Sequence, residues 1–364
     1  MEPCILGIGP VLAVGNGVAS LRAALEGAPN GRAKRIDGRG CGVPAEPSFY
    51  AADAEGLERF VPRRSLRRLD KFTQMALLSS YLAVEDAGVS FRDRSRLGIV
   101  LGTAYGPQRT TFAYQDTISD EGDAGASPTL FANSIHNAQA SAVSIFMQIT
   151  GPCLTISTFE RTTEEVLRVA RLWLEQGAAD YVLAGVGDET SGALRYSVRQ
   201  RGARSTGAPN PLQLERCSYI PGEAFVTFLL GAHSQANGSA RLERVVSAAS
   251  PTQLDRELLA AHRAIILSAN GDRQTGPLYR PVGRSGIPVA AYSALYGSLP
   301  SGLGVDLAAA ALSCRLGCVC RPPGGSADPA LNVLTDDLPV QSGQRVGCLA
   351  CSPGHTTLIS VIRT

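Results

Sequence analysis

Residues 151 to 189 read GPCLTISTFERTTEEVLRVARLWLEQGAADYVLAGVGDE. A short apolar run, Cys153 to Ser157, precedes a sharp turn, a helical stretch from about Phe159 to Gln176, and a second apolar run, Tyr181 to Ala184. In the helical stretch Val166, Val169, Ala170, Trp173 and Leu174 recur at three- and four-residue offsets, while Leu167 and Leu172 carry apolar surface onto a second face. The reading is a strand, an elbow, a helix and a buried strand. A helix apolar on most sides belongs in the middle of a domain.

Composition bounds the rest. The 364 residues are 44% hydrophobic, 18% charged and 6% aromatic, which suits one large or two ordinary domains with a substantial core and excludes a disordered chain. A formal net charge of +2, with Lys34 and Lys71 the only lysines, offers no electrostatic footprint for nucleic acid. The nine cysteines are odd in number, and Cys4, Cys153, Cys314, Cys318 and Cys348 sit in apolar runs, so reduced, buried thiols in a cytoplasmic protein are expected. Cys318-x-Cys320 and Cys348-x-x-Cys351 lack histidines at ligand spacing, and no metal or cofactor is expected. The opening MEPCILGIGPVLAVG has no basic leader and is interrupted by Gly and Pro, and no run approaches the ~20 apolar residues of a membrane span.

Outward from the elbow, residues 4 to 16 read as a strand and a Gly-rich turn leading into a helix. Gly7-x-Gly9 has no third glycine in register, which favours tight packing over a phosphate loop. Residues 28 to 62 form a surface excursion. A helix follows, with Phe72, Met75, Ala76, Ser79 and Ala83 on one face and Gly88 as its stop. Next come a strand at Leu97 to Gly102, a helix at Gln108 to Ser119 and an acidic loop at 120 to 127. Beyond a polar seam at His233 to Ser239 the layout repeats: a strand (241 to 249), a helix (252 to 262), a strand (264 to 269), a helix after Gly302 and two closing strands.

Several segments carry a resemblance. They are Gly-Pro-x-Leu-Thr-x-Ser-Thr before the elbow, Gly-Ala-Ala-Asp-Tyr-Val-Leu-Ala-Gly after its helix, Arg-Arg-Leu-Asp-Lys-Phe at 67 to 72, and Pro211, Arg216, Gly222 and Glu223 within 210 to 230. Together they resemble the β-ketoacyl-acyl carrier protein synthases over nearly the whole chain. The resemblance implies an α/β thiolase fold, five-layered αβαβα, from two duplicated halves at 1–235 and 236–364, with the elbow helix in the central layer.

The same resemblance implies that no catalytic group is intact. Glu160 stands where the family has its acyl-accepting Cys, Asn270 and Ser298 replace its two catalytic His, and Ser293 replaces its Lys. A thiolate is a far better acyl acceptor than a carboxylate, and the imidazoles that assist decarboxylation and polarise the thioester are gone. The acyl-gating loop becomes Cys351, Ser352, Pro353 and His355 around Gly354. The pattern is similar to that of chain-length factors, non-condensing subunits of type II polyketide synthases, polyene systems among them. The implied partners are an active ketosynthase in a heterodimer, or a second copy in a homodimer, and acyl carrier protein. The other reading is an enzyme of altered chemistry, with Glu160 as base in acyl transfer, decarboxylation or hydrolysis.

Individual residues keep two readings each. Glu160 fits a capping box with Ser157 or a contact to a partner subunit. Arg63, Arg64, Arg67 and Arg68 are a solvated helix start or, as in the family, a patch for acidic carrier protein. Phe112, Tyr114, Gln115, Phe131 and His136 match the tunnel and dimer-interface segments, although Phe112 and Phe131 serve equally as core.

Overall fold

A computed structural model describes residues 2–28, 35–38, 46–200, 209–232 and 240–364. The expected seam near residue 235 lies outside the described residues. Ten strands carry the architecture: β1 (Cys4–Leu12), β2 (Leu97–Gly102), β3 (Cys153–Ile156), β4 (Tyr181–Asp188), β5 (Ala224–Gly231), β6 (Ala240–Ala248), β7 (His262–Leu267), β8 (Val289–Ala290), β9 (Arg345–Ser352) and β10 (His355–Arg363). Their order across the sheet is β8-β7-β9-β10-β6-β1-β5-β4-β2-β3.

This order is one pattern written twice. In β1 to β5 the third strand lies at the edge, followed by the second, fourth, fifth and first, and β6 to β10 repeat that sequence inward from the opposite edge. The directions repeat as well. β2 runs parallel to β3 and β4, and β5 is antiparallel to β4 and β1. Likewise β7 runs parallel to β8 and β9, and β10 is antiparallel to β9 and β6. The two sets meet where Cys4 and Ile5 of β1 pair with Arg241 and Ala240 of β6.

Strand alternation explains the layers, because neighbouring side chains leave a sheet on opposite faces. Val182 and Ala184 join a central apolar cluster, whereas Leu183 between them joins an outer cluster on the first set. Ala264 and Ile266 likewise point to the centre, with Ile265 and Leu267 in a third cluster outside the second set. Three apolar layers therefore separate two sheet regions, the αβαβα order expected.

Seven helices position the site: α1 (Lys71–Ala87), α2 (Gln108–Glu121), α3 (Pro128–Ser134), α4 (Ala138–Phe146), α5 (Thr162–Glu175), α6 (Gly192–Gln200) and α7 (Gly302–Leu316). Asp70 caps α1 by accepting from the Thr73 amide at 2.8 Å, and Gly88 ends it in the left-handed conformation at φ 62. Gly7 and Gly9 of β1 lie against α1, where a Cβ would come within 1.9 Å of the Ala83 carbonyl or 1.8 Å of the Ser79 carbonyl. Their role is close approach, as the missing third glycine implied.

The elbow helix departs from expectation in two ways. Its first turn, Phe159–Arg161, is a 3-10 turn and the α-helix begins at Thr162. It also buries one face, not most of its circumference. Val166, Leu167, Ala170 and Leu174 are buried and Val169 and Trp173 pack against the central cluster, but Arg168 and Leu172 are exposed. The fully buried central helix is α7, every residue of which from Gly302 to Cys314 is inside. In the second half the expected helix at 252 to 262 is two short turns, Pro251–Gln253 and Arg256–Ala260. The surface excursion holds a two-stranded hairpin, Arg35–Gly38 with Glu46–Tyr50. Among the described residues the cysteines are free, and Cys153, expected to be buried, is exposed on the edge strand.

Candidate functional site

The elbow, α2, α6 and the β9–β10 turn surround a cavity of about 640 Å³. Phe112, Glu160, Asn270, Cys351, Ser352 and His355 all line it, so one cavity collects residues from both halves of the chain. Ser293, Ser298, Pro353, Tyr114, Gln115, Phe131 and His136 do not line it.

Glu160 is exposed, and its carboxylate has no hydrogen-bond partner among the described residues. The capping-box reading fails. The start of α5 has no side-chain cap, and Thr158 instead donates its amide to Thr162 Oγ1 at 3.1 Å. Phe159, with φ 50, is one of two non-glycine residues in the left-handed region among the described residues, and this turn directs the next side chain away from the helix end.

The other residues singled out by the resemblance are held by local hydrogen bonds. Ser298 Oγ donates to the Asn270 carbonyl at 2.6 Å, and Ser293 Oγ donates to the Ala269 carbonyl at 2.7 Å. Asn270 Oδ1 accepts from the Asp272 amide at 3.1 Å. None of these is an acid–base pair.

The loop Cys351 to His355 is the tip of the β9–β10 hairpin, with Gly354 at φ 77. Its thiol is no nucleophile, since burial pushes Cys351 up to about 12. His355 is held differently. Its Nε2 lies 2.8 Å from Glu164 and 3.0 Å from Thr357 Oγ1, and Thr357 Oγ1 donates to Glu164 at 2.6 Å. Ser247 Oγ also donates to Glu164, and the Arg168 guanidinium pairs with it at 2.9 Å. Burial would push the Glu164 carboxyl up, but these hydrogen bonds and the Arg168 charge outweigh it and hold the group below the ordinary glutamate range.

A second carboxylate sits behind the cavity wall. Asp306 of α7 is fully buried and accepts from Ser268 Oγ at 2.5 Å and Tyr296 Oη at 2.8 Å, and both donors line the cavity. Burial pushes its carboxyl up to about 7. Further out, Glu223 is buried between Lys71 at 2.5 Å and Arg109 at 2.9 Å and accepts from the Ala52 and Thr190 amides, which locks α1 and α2 to β5. Glu164 and Asp306 were not singled out from sequence. The available signal was an acid on an apolar helical face in each case, Glu164 beside Val166 and Leu167, and Asp306 alone within GLGVDLAAAAL.

The candidate interface residues are surface residues. Phe112 is 42% and Phe131 55% exposed, which removes the core alternative for both. Tyr114 packs on Phe131 with ring centroids 5.5 Å apart, while Gln115 and His136 are exposed. Ile135, Ile145, Leu154 and Phe159 are exposed too, and β3 at the sheet edge pairs, among the described residues, only with β2. Arg63, Arg64, Arg67 and Arg68 are exposed at the turn before α1, and Asn133 of α3 donates to the Arg68 carbonyl at 2.9 Å. No group of residues able to hold a metal ion, and no helix long and apolar enough to cross a membrane, occurs among the described residues.

Comparison with known proteins bears on these positions. A family model described as β-ketoacyl synthase, N-terminal domain, matches residues 26–236, more than half of the chain. A β-ketoacyl synthase assigned to oxytetracycline polyketide formation in Streptomyces rimosus is 27% identical over 213 residues, covering 54% of this chain and 49% of that protein. A 3-oxoacyl-[acyl-carrier-protein] synthase 2 of Vibrio cholerae is 23% identical over 200 residues, covering 52% and 48%. The chain thus spans about half the length of these curated relatives. In structure it is similar to the ishigamide ketosynthase/chain length factor, with TM-score 0.79 at 16% identity, covering 100% of this chain and 99% of that one. It is similar also to a chain from a type II polyketide synthase acyl-carrier protein in complex with its ketosynthase bound to the hexaketide, with TM-score 0.82 at 16% identity and the same coverage. These likenesses give the thiolase fold.

Proposed function

The chain belongs to the β-ketoacyl synthase family, and from that premise we propose that it is a non-condensing subunit, a chain-length factor that pairs with an active ketosynthase and shapes the tunnel for a growing polyketide chain. The observation that carries this reading is the state of the four catalytic positions. Glu160 offers a carboxylate where a thiolate is needed, and Ser298 and Ser293 spend their hydroxyl protons on main-chain carbonyls. Carbon–carbon bond formation by this family's route needs an acyl-accepting thiolate and imidazoles that assist decarboxylation, and this arrangement supplies neither.

Two further features support it. The exposed apolar rim of Phe112, Phe131, Ile135, Ile145, Leu154 and Phe159, beside the unpaired edge of β3, is the kind of surface that a protomer covers with another. The four exposed arginines at 63 to 68 suit an acidic carrier protein, whose approach opposite charge would speed. The division at residue 235 fits the repeated strand order on either side of it.

The test is reconstitution. Purified alone with malonyl- and acyl-carrier protein, the chain is expected to form no ketoacyl product; mixed with a Cys-His-His ketosynthase from the same organism, it is expected to form a stable heterodimer that does. Condensation by the isolated chain, or a ketosynthase that elutes separately and works equally well without it, would overturn the reading.

A further inference from the structure

The pair formed by His355 and Glu164 does more than join β10 to α5. Both groups near His355 Nε2 are acceptors, because the Glu164 carboxylate has no proton to give and Thr357 directs its single hydroxyl proton to Glu164. Nε2 therefore carries the ring proton, and in the neutral imidazole the lone pair is on Nδ1. Nδ1 has no hydrogen-bond partner among the described residues and is not sealed from solvent, while His355 lines the cavity. The Arg168 guanidinium supplies the Glu164 countercharge, so the imidazole is not needed for that. An imidazole oriented through one nitrogen by a buried carboxylate, with the other nitrogen unpartnered, is the arrangement of a general base.

The cavity also carries a donor. Asn270 uses Oδ1 on the Asp272 amide, and its Nδ2 has no partner among the described residues. Leu194, Val198, Leu299 and Leu303 provide apolar lining for a chain.

We propose that this cavity is a hydrolytic site for acyl thioesters, with His355 as general base and Asn270 as donor to the thioester oxygen. The substrate class rests on the reading of the chain as a member of an acyl-handling complex. His355 Nδ1 takes a proton from water as the water oxygen bonds to the carbonyl carbon; Asn270 Nδ2 donates to the resulting oxyanion. The carbon–sulfur bond then breaks, and the proton on Nδ1 passes to the departing sulfur, leaving free carboxylic acid and thiol. Glu164 is a positioning residue that acts through His355. Such a site would clear chains that enter this subunit.

The experiment uses the full chain, purified alone, with octanoyl-N-acetylcysteamine as the probe and mass spectrometry of octanoate and thiol as the readout. Expected is hydrolysis above the buffer rate, a loss on the order of 10²-fold in His355→Ala, and a comparable loss in Asn270→Ala. Added imidazole restores part of the His355→Ala activity, and Glu164→Gln lowers kcat with KM kept. Asn270 lies outside the Glu164 cluster, so its variant decides the matter if His355→Ala does not fold. A wild-type rate equal to buffer, or an Asn270→Ala rate equal to wild type, overturns the proposal, as does a folded His355→Ala that retains full activity or gains nothing from imidazole. Because the isolated chain is assayed, this outcome is independent of whether a ketosynthase partner binds.

Discussion

Ser298 donates its hydroxyl proton to the main-chain carbonyl of Asn270 at 2.6 Å. The two positions that the sequence resemblance aligns with the family's imidazoles are therefore tied to each other through a hydroxyl and a peptide oxygen. Neither the thioester oxygen nor a malonyl carboxylate would find a cationic donor there.

Restoring the nucleophile alone should accordingly fail. Glu160→Cys, purified with acyl- and malonyl-carrier protein, is expected to yield no ketoacyl product, whether or not the thiol becomes acylated. Mass spectrometry of intact protein and product separates the two steps. Robust condensation by this single variant would mean that donors other than the family's serve the reaction.

Phe112→Ala and Phe131→Ala should cost little stability. A core Phe truncation costs ~3–5 kcal/mol, but these rings are 42% and 55% exposed, so the expected loss is under ~1 kcal/mol, read from chemical denaturation. In the assembled complex the removal of either ring should lengthen the released product at unchanged rate. Unchanged product length in both variants would move the length determinant elsewhere.

The edge of β3 offers a test of pairing. Leu154 is 42% and Ile145 73% exposed, and a charge on either would be buried by an incoming protomer at high cost. Leu154→Asp is expected to leave circular dichroism of the isolated chain unchanged and to abolish co-elution with a partner on size exclusion. Undiminished co-elution would place the interface on another face.

Buried acids set a pH dependence with a defined sign. Burial raises Asp306 to about 7 in the folded chain, against ~4 for an unfolded aspartate. Its contribution is complete below about pH 4, falls as the pH rises, and levels off above about pH 7, a loss of up to ~4 kcal/mol. Glu189, raised by burial to about 7, acts in the same direction. Asp306→Asn should therefore flatten the fall in Tm between pH 5 and pH 8. An identical slope in wild type and variant would show that Asp306 is ionised in the fold throughout.

Much of the fold was legible because it rests on local pattern. The elbow segment, the end of α1 and the tight glycines of β1 declare themselves through periodicity, Gly88 and missing side chains. The site was legible in outline, since the resemblance singled out Glu160, Asn270, Cys351, Ser352 and His355, and all five line one cavity. What sequence could not reveal was pairing at long range: Thr357 reaches Glu164 across 193 residues, and Ser268 reaches Asp306 across 38. Nor could period decide which face of α2 meets solvent, which left Phe112 ambiguous until its exposure was known. The capping box misled for a local reason, because the left-handed Phe159 turns the chain before the helix begins.

The two central helices follow the third strand of their respective halves, yet they are dressed differently. From Gly302 to Cys314 α7 touches no solvent and is built largely of alanine, glycine and leucine, whereas α5 shows Arg168, Leu172 and Glu175 outside. A bulkier or charged side chain therefore meets water along one flank of α5, whereas on α7 it meets packed neighbours from Gly302 to Cys314.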